Sequence, residues 1–493
     1  MSSAHYDAIV IGSGAGGSAA AYQLALAGLR VTVLEKGAHL PTDGSTLDIT
    51  RVVHQGAFLS KEPWIDGGGR RITPEEHFNV GGKTKWYGAA LLRFAEHEFR
   101  ADPGYGCLGW PITAQDLAPY YDEAERLLDV RSFTPEDDLA RILLRLGGKH
   151  PAWRAQAMPM GLAAEIAAHP LEAAHFDGFA SVKNLKGEAD RSMLSLLHSR
   201  ENFQLQVNAE VKALLGAPQS PTTVTGVRLA DGRELYAPRV LLAAGALHSP
   251  RLLSTYLASS GLATTLPMAT HVGRYLKLHV LTAMIAISPG RKRDLIRKTT
   301  VLTHPNHPHS TAQPLGFDGD LVATLMPRIL PASLRRALGN RAYGFFLQTE
   351  DGSDARNRVA QDADGVTPPV LDYDSGRTPS ALHEHRSFTR TLQRGLASAG
   401  MVSFTRRVGL NGTAHVCGSL VCGHTPADSV VDAQGRVHGM QGLYVVDGSV
   451  LPRSSRVNPS LTIYAWGLRV GERVATELRH QAALSTPQSL HVA

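Results

Sequence analysis

The sequence predicts an α/β protein in which a Rossmann-type dinucleotide-binding domain is interleaved with an α+β domain built on an antiparallel sheet. The first forty residues have the order strand, glycine-rich turn, helix, strand and acid, which is the context of a dinucleotide-binding unit. Continuous apolar runs at 240–244 and 443–446 are typical of further buried parallel strands. Between these runs, strand-like segments alternate with loops rich in Pro, His and Gly, which favours antiparallel pairing.

The first glycine-rich turn has the spacing of a dinucleotide fingerprint. Gly12 allows a tight turn after the strand, Gly14 lets backbone amides approach a pyrophosphate, and Gly17 lets the next helix pack closely on the strand. The helix is predicted to end at Gly28. The strand after it ends in Glu35, whose carboxylate we expect to hold the adenosine ribose hydroxyls. The order of these elements therefore predicts a bound dinucleotide.

Length and composition exclude some classes of function. The 493 residues are enough for two domains or one large fold with insertions. Basic residues exceed acidic residues by only six, so binding of nucleic acid is not expected. The densest basic run, at 291–298, is predicted to be a solvated loop, with docking of an acidic partner as the alternative.

The cysteines bear on location and on metal binding. Cys107, Cys417 and Cys422 are too few for a disulfide scaffold, so a cytoplasmic location is expected. Neither these cysteines nor the three histidines between 304 and 309 are completed to a ligand set, and no metal site is predicted. We expect no signal peptide before the first strand, and no run is long enough for a membrane span.

A second glycine motif distinguishes FAD from NAD. It lies outside a compact nicotinamide-binding unit, and Gly81, Gly82 and Thr84 are expected in a loop against a flavin and its pyrophosphate. Here the sequence resembles the glucose–methanol–choline (GMC) oxidoreductases, whose second glycine loop follows the first βαβ unit at this distance. Some members carry a histidine bonded covalently to FAD where this chain has Trp86, so the resemblance implies noncovalent FAD. Trp86 and Tyr87 either pack in the core or form a wall of the flavin pocket.

The chain is then predicted to return to the FAD domain. An alternating run at 203–211 predicts a strand, and a hairpin follows around Gly232. The stretch 245–253 (GALHSPRLL) matches the second signature of the GMC family. The resemblance implies that Val211 offers its backbone to the adenine and that Ala244, at the end of a buried strand, lies at the cofactor.

The substrate domain is less well defined by the sequence. Its strands are expected at 280–287, 321–326 and 343–347. A capped helix at 110–128 resembles the segment that begins this domain in sugar-oxidising members. Gln348 or Glu350 could present a polar group to a polyol, although a solvated strand end fits the pattern as well. The predicted division is an FAD-binding domain at 1–100, 196–274 and 405–479, a substrate domain with a lid segment at 101–195 and its larger part at 275–404, and a C-terminal tail at 480–493.

The final third contains the candidate catalytic pair. His415 lies where the family usually carries His-x-x-Gly-Thr followed by Arg, but this chain has Ser419 for the Thr and Val421 near the expected Arg. Asn458 lies where the family has His or Asn. A histidine can exchange a proton near neutral pH, whereas an asparagine cannot. His415 is therefore expected to act as the base and Asn458 to orient the alcohol.

Three further residues near this pair are expected at the cofactor. Asp447 follows an apolar run at the position where FAD enzymes hold the ribityl chain. Pro459 and Thr462 begin the last helix, whose N-terminal amides and dipole can stabilise negative charge on a reduced flavin.

The resemblance implies FAD-dependent oxidation of a CH–OH group of a sugar, glycoside or related polyol to the carbonyl, with hydride transfer to flavin N5. Sterols and aliphatic alcohols are alternative substrates. A non-redox flavin lyase of the same fold and a nicotinamide-dependent Rossmann enzyme are alternative classes. The expected partners are a small-molecule alcohol or sugar and an electron acceptor, which is oxygen, a quinone or a redox protein, and a small accessory subunit is left open.

Overall fold

The structure is a computed structural model, and it describes residues 6–362 and 367–485. Within these residues the α-helices are α1 (Ala15–Leu26), α2 (Ala114–Leu127), α3 (Asp137–Lys149), α4 (Pro170–Ala174), α5 (Ser249–Ser259), α6 (Gly319–Thr324), α7 (Ala332–Gly339), α8 (Pro379–Ser398) and α9 (Ser460–Ser485). The strands are β1 (Ala8–Ile11), β2 (Val31–Leu34), β3 (Trp64–Asp66), β4 (Arg71–Ile72), β5 (Val130–Ser132), β6 (Arg154–Ala157), β7 (Pro159–Gly161), β8 (Phe203–Gln206), β9 (Val211–Ala217), β10 (Ser220–Leu229), β11 (Glu234–Tyr236), β12 (Val240–Leu242), β13 (Val280–Ile287), β14 (Thr300–His304), β15 (His307–Pro314), β16 (Ala342–Thr349), β17 (Arg358–Ala360), β18 (Val370–Asp372), β19 (Val402–Arg407) and β20 (Leu443–Val445).

A five-stranded parallel sheet confirms the predicted Rossmann-type domain. Its strand order is β20-β12-β1-β2-β8, and every neighbouring pair is parallel. Strands β1, β2, β12 and β20 are buried throughout, which explains their continuous apolar runs. The chain leaves β1 toward β2 on one side and later returns as β12 on the other. Such a reversal of strand order opens a crevice at the carboxyl ends of the strands, where ligands bind.

Helices α1 and α9 pack on this sheet with their backbones in contact. A Cβ added to Gly16 of α1 would lie 1.7 Å from the carbonyl oxygen of Val446, just after β20. A Cβ on Gly467 of α9 would lie 2.4 Å from the carbonyl oxygen of Gly16. Only glycine permits these approaches, so the first helix is held by the last strand and the last helix.

A six-stranded antiparallel sheet confirms the architecture predicted for the substrate domain. Its order is β19-β13-β16-β15-β14-β6. Helix α8 covers one face, where Phe388 and Leu392 pack against Phe345 and Leu347 of β16. The side chains of the opposite face therefore point toward the parallel-sheet domain.

Two predictions of strands are wrong in detail. The run 321–326 is not a strand, because Asp318 accepts a hydrogen bond from the amide of Leu321 at 2.8 Å and starts helix α6. The run 203–211 is interrupted at Asn208, whose φ of +52° is left-handed. The residues before this turn form β8 of the parallel sheet, and those after it begin β9 of a separate antiparallel sheet with β10 and β11.

The predicted hairpin and capped helix are both present. Strands β10 and β11 pair around Gly232, which has φ +86°. Thr113 caps α2 by accepting from the amide of Asp116. Leu117 and Tyr121 of this helix belong to the apolar core of the parallel sheet, although the resemblance had placed the helix in the substrate domain. The domain boundaries stay a prediction, and the part of the predicted 480–493 tail beyond residue 485 lies outside the described residues.

Candidate active site

A cavity of about 630 Å³ lies between the parallel sheet and the antiparallel sheet. Its volume is in the range of small-molecule and cofactor sites. The predicted residues that line it are Gly12, Gly14, Glu35, Gly82, Thr84, Val211, Ala244, His415, Asp447, Asn458 and Pro459. The predicted residues outside its lining are Gly17, Gly81 and Thr462. One cavity therefore brings together the glycine turns and the candidate catalytic pair.

The first glycine turn is shaped to receive a pyrophosphate. Gly12 has φ +106°, and a Cβ there would lie 2.3 Å from the carbonyl oxygen of Ala243. A Cβ on Gly14 would meet no atom within 4 Å, so this face of the turn is open to the cavity. A Cβ on Gly17 would lie 2.1 Å from the carbonyl oxygen of Gly12, in agreement with its predicted role in close packing. The turn therefore fits a dinucleotide, and the contact of Gly14 with the phosphates stays a prediction.

Glu35 also organises the two glycine loops. Its Oε2 accepts from the amide and hydroxyl of Ser13, at 3.1 and 2.6 Å, and its Oε1 accepts from the amide of Gly37 at 2.9 Å. The hydroxyl of Ser13 in turn accepts from the amide of Gly81 at 3.0 Å. Burial raises the pKa of Glu35 despite these bonds. The ribose contact of Glu35 stays a prediction, and its contact with Ser13 shows a second role.

Asp447 connects three elements at the carboxyl end of the sheet. Its carboxylate accepts from the amide of Gly245 at 2.8 Å, from the amide of Ser449 at 2.9 Å and from the hydroxyl of Ser249. Burial raises its pKa. These bonds join β20 to the turn after β12 and to the start of α5, so Asp447 shapes the cavity wall.

Trp86 satisfies both of the alternatives left open by the sequence. It is buried, and it also lines the cavity. Its ring stacks on His77 with centroids 4.6 Å apart, and its Nε1 donates to Oδ1 of Asn79 at 2.9 Å. Burial lowers the pKa of His77 to about 4, so this ring is neutral at physiological pH. Trp86 is therefore a fixed aromatic wall.

His415 and Asn458 meet at the cavity, although 43 residues separate them. Nδ2 of Asn458 lies 3.1 Å from Nε2 of His415; Asn458 is buried and His415 is half-buried. His415 is also packed edge-on against His279 and Phe346, with centroids 5.2 and 6.1 Å away. Burial first, then the neighbouring His279 and the charge of Lys298, holds the pKa of His415 well below its usual range. The imidazole is therefore neutral and can accept a proton.

Helix α9 begins directly after this pair. Pro459 and Ser460 line the cavity, so the N-terminal end of the helix faces it. Thr462 instead lies inside the core, where its hydroxyl is 2.7 Å from the hydroxyl of Tyr121. The helix start therefore offers positive dipole potential to the cavity, but Thr462 contributes to packing.

The two departures from the family pattern are accommodated near His415. Ser419 has φ +82°, and its hydroxyl donates to the carbonyl oxygen of Ala246 at 2.7 Å. Val421 is buried in the apolar core near the position where the family has Arg.

A buried ion pair in the cavity wall was missed by the sequence reasoning. Nζ of Lys298 lies 3.0 Å from Oδ2 of Asp177, and both residues line the cavity. The prediction that 291–298 is a solvated loop is thus wrong at its end, where Lys298 is buried. Nothing local in the sequence joins Asp177 to Lys298, since the two are far apart in the chain.

The solvated strand end proposed for Gln348 and Glu350 is also wrong, because both are fully buried. Glu350 accepts two hydrogen bonds from Arg453, at 2.7 and 2.6 Å. Neither residue lines the cavity. Among residues 6–362 and 367–485 there is no group of three or more His, Cys, Asp or Glu that could hold a metal ion.

Comparison with known proteins identifies the class. A family profile described as FAD dependent oxidoreductase matches residues 7–307, and one described as GMC oxidoreductase matches residues 353–467. The chain is 30% identical to a 6'''-hydroxyparomomycin C oxidase of Streptomyces lividus, over 96% of this chain and 92% of that protein. It is 29% identical to a paromamine 6'-oxidase of Streptomyces fradiae, over 97% of this chain and 93% of that protein.

A solved structure supports the same fold. A formate oxidase of Aspergillus oryzae superposes with a TM-score of 0.70 at 14% identity, over 97% of this chain and 100% of that one. The fold and the cavity thus define an FAD-dependent oxidoreductase, and the nicotinamide-dependent alternative is wrong. Within that class, the chain belongs to the GMC oxidoreductase family.

Proposed function

We propose that this protein oxidises a CH–OH group of a sugar, glycoside or related polyol to the carbonyl, with His415 as the base and Asn458 orienting the alcohol. The observation that carries the proposal is the 3.1 Å contact of this pair in the wall of the cavity that also contains the glycine turns. The names of the two Streptomyces relatives, as oxidases of paromamine and of 6'''-hydroxyparomomycin C, support a hydroxylated, sugar-like substrate.

The proton of the alcohol goes to Nε2 of His415. The amide of Asn458 donates toward this nitrogen, so Nε2 carries the lone pair of the neutral ring. A hydroxyl placed between the two groups can donate its proton to Nε2 while its oxygen accepts from Nδ2 of Asn458. Negative charge that develops on the oxygen is then stabilised by the asparagine N–H and by the new imidazolium N–H.

FAD, when bound, supplies the two-electron acceptor for the hydride that leaves the carbon. The residues proposed to hold it are Gly12, Gly14, Glu35, Gly82, Thr84, Val211, Ala244, Asp447 and Pro459. We propose that FAD is held noncovalently, because Trp86 offers no nucleophile at the position of the histidine that forms the bond in some family members.

We also propose an electron acceptor and a cytoplasmic location. The electron acceptor is oxygen, a quinone or a redox protein, and an accessory subunit is left open. All three cysteines are free and buried, which supports a cytoplasmic location. No helix in the described part of the chain is both long enough and apolar enough to cross a membrane.

The visible spectrum of the pure protein, recorded anaerobically before and after addition of a panel of sugars, polyols, sterols and aliphatic alcohols, tests the function. We expect oxidised flavin that bleaches with at least one sugar or polyol. Bleaching only by sterols or aliphatic alcohols would replace the substrate class. A flavin that no alcohol bleaches would favour the non-redox lyase of the same fold.

A further inference from the structure

Gln313 of β15 binds the amide oxygen of Asn458 from the side opposite His415. Nε2 of Gln313 donates to Oδ1 of Asn458 at 2.8 Å, while Nδ2 of Asn458 faces Nε2 of His415 at 3.1 Å. Gln313 is fully buried and does not line the cavity. It therefore contacts Asn458 but is separated from the place of the substrate.

This contact matters because a carboxamide has two chemically opposite ends. Directed at the substrate, the nitrogen of Asn458 donates a hydrogen bond, which stabilises an oxygen that gains negative charge. A reversed amide would present its oxygen instead and would repel that charge. A donor fixed on Oδ1 selects the useful orientation.

We propose that Gln313 is a positioning residue that fixes Asn458 with its N–H groups toward the substrate hydroxyl. This inference rests on the proposed function, in which Asn458 binds the alcohol oxygen. Gln313 acts through Asn458 only, so it is a positioning residue rather than a catalytic one.

The antiparallel sheet holds both Gln313 and the segment that it orients. Thr311, Gln313 and Gln348 point from the same face of the sheet, since Thr311 lies opposite Gln348 and Gln313 opposite Phe346. The hydroxyl of Thr311 and Nε2 of Gln348 both donate to the carbonyl oxygen of Arg456 at 2.7 Å. The face thus fixes the main chain two residues before Asn458 by two hydrogen bonds and the amide of Asn458 by one, from Gln313.

The variant Gln313→Glu tests this role, because its effect on the flavin-reduction rate should depend on pH. A protonated carboxyl can donate to Oδ1 of Asn458 as the amide of Gln313 does, whereas a carboxylate can only accept and would turn Nδ2 away from the substrate. Burial would raise the pKa of a carboxyl at this position. We expect a flavin-reduction rate near that of the wild type at low pH and a loss of about 10–100-fold once the carboxyl ionises. The wild type should show no such loss as the pH rises.

The wild type carries the same ionisable groups near Asn458 as Gln313→Glu, so it controls for their titration. The charged or titratable groups on the surrounding elements include His279, His415, Lys83, Lys298, Asp177, Glu98, Arg456, His309 and Glu350. Burial lowers the pKa of His279 to about 4 and holds that of His415 well below its usual range. Burial alone would raise the pKa of Glu350, but its bonds to Arg453 and His309 hold it at about 2. Protonation of the imidazole base lowers the rate at low pH, which is the opposite direction.

Gln348 provides the matched control. It is the same residue type, is fully buried on the same sheet face, and donates to a main-chain oxygen rather than to Asn458. Gln313→Met should lower the reduction rate about tenfold or more at every pH. Gln348→Met should cost less, because the orientation of the amide is unchanged. Equal losses of the flavin-reduction rate in the two Met variants would overturn the inference. If Gln313→Glu does not fold, this comparison alone tests the role of Gln313.

A measurement without substrate separates this inference from the proposed function. In holoprotein labelled with ¹⁵N-asparagine, the side-chain amide signal of Asn458, assigned with Asn458→Asp, should shift with pH in Gln313→Glu and stay constant in the wild type over the same range. Failure of every sugar to bleach the wild type would count against the function but would leave this titration valid. The role of Gln313 would be overturned by the following result. The wild-type flavin bleaches, but in Gln313→Glu the Asn458 signal does not shift with pH and the flavin-reduction rate follows the same pH profile as the wild type.

Discussion

Replacement of His415 by alanine is expected to preserve the fold and FAD but to remove most of the rate of flavin reduction. Burial and the neighbouring His279 and Lys298 lower the pKa of the imidazole, so the base form predominates at neutral pH. The variant therefore loses the whole contribution of the general base, commonly about 10²–10⁴-fold in rate. This corresponds to about 3–5 kcal/mol of transition-state stabilisation.

Asn458→Ala is expected to lower the rate of flavin reduction less, by about 10–100-fold. The substitution removes one hydrogen bond to a charged oxygen but leaves the proton acceptor, His415, in place. The two side chains are 3.1 Å apart and serve one oxygen. The double variant should therefore be less impaired than the product of the two single losses.

Anaerobic stopped-flow reduction of the three variants across pH, with the sugar that bleaches the wild type, checks these values. The wild-type rate should fall as the pH drops through the low pKa of His415, since an imidazolium cannot accept the proton. Asn458→Ala should keep this fall in rate at low pH, and His415→Ala should lose it. Near-normal reduction by His415→Ala would show that the proton goes elsewhere and that the site is misassigned.

Three further predictions concern the cofactor and stability. Acid precipitation should release free FAD into the supernatant, because Trp86 cannot bond to it; colour retained in the pellet would contradict this. Gly14→Val should fold yet lack flavin, since its side chain would enter the open cavity, while Gly147→Ala, also in open space, should keep full flavin occupancy, as absorbance will show. Burial lowers the pKa of His77 and His279 to about 4, so the unfolded chain binds more protons below about pH 6.5 and the melting temperature should fall from there toward pH 4. A melting temperature constant over this range would count against neutral buried histidines.

The parallel sheet could be predicted from the sequence because its signals are local. Strand β1, the turn at Gly12 and helix α1 follow one another directly, and each has a short-range pattern. The run 321–326 shows the limit of that approach. Its apolar residues suit a buried strand or a buried helix equally, and the cap at Asp318 decided for the helix.

The candidate site was predictable only where a motif marks the residue. His415 and Asn458 lie in recognisable segments, and the structure brings them into contact. Lys298 and Gln313 lie in segments without a motif, and their partners are distant in the chain. The one signal for Gln313 is that a polar side chain shares a sheet face with Thr311, which becomes visible only when strand pairing is known.

The glycine contacts among α1, the end of β20 and α9 also set the order in which the protein can be made. The first glycine turn is synthesised well before Val446 and Gly467, the two residues that approach Gly16 of α1 most closely. At about 5–20 residues per second, the remaining chain needs about 20–90 s. During that time α1 has neither of its backbone partners. We therefore expect FAD to be captured late in biogenesis, and we expect a nascent chain that stalls before Gly467 to leave the first helix uncovered and open to misfolding.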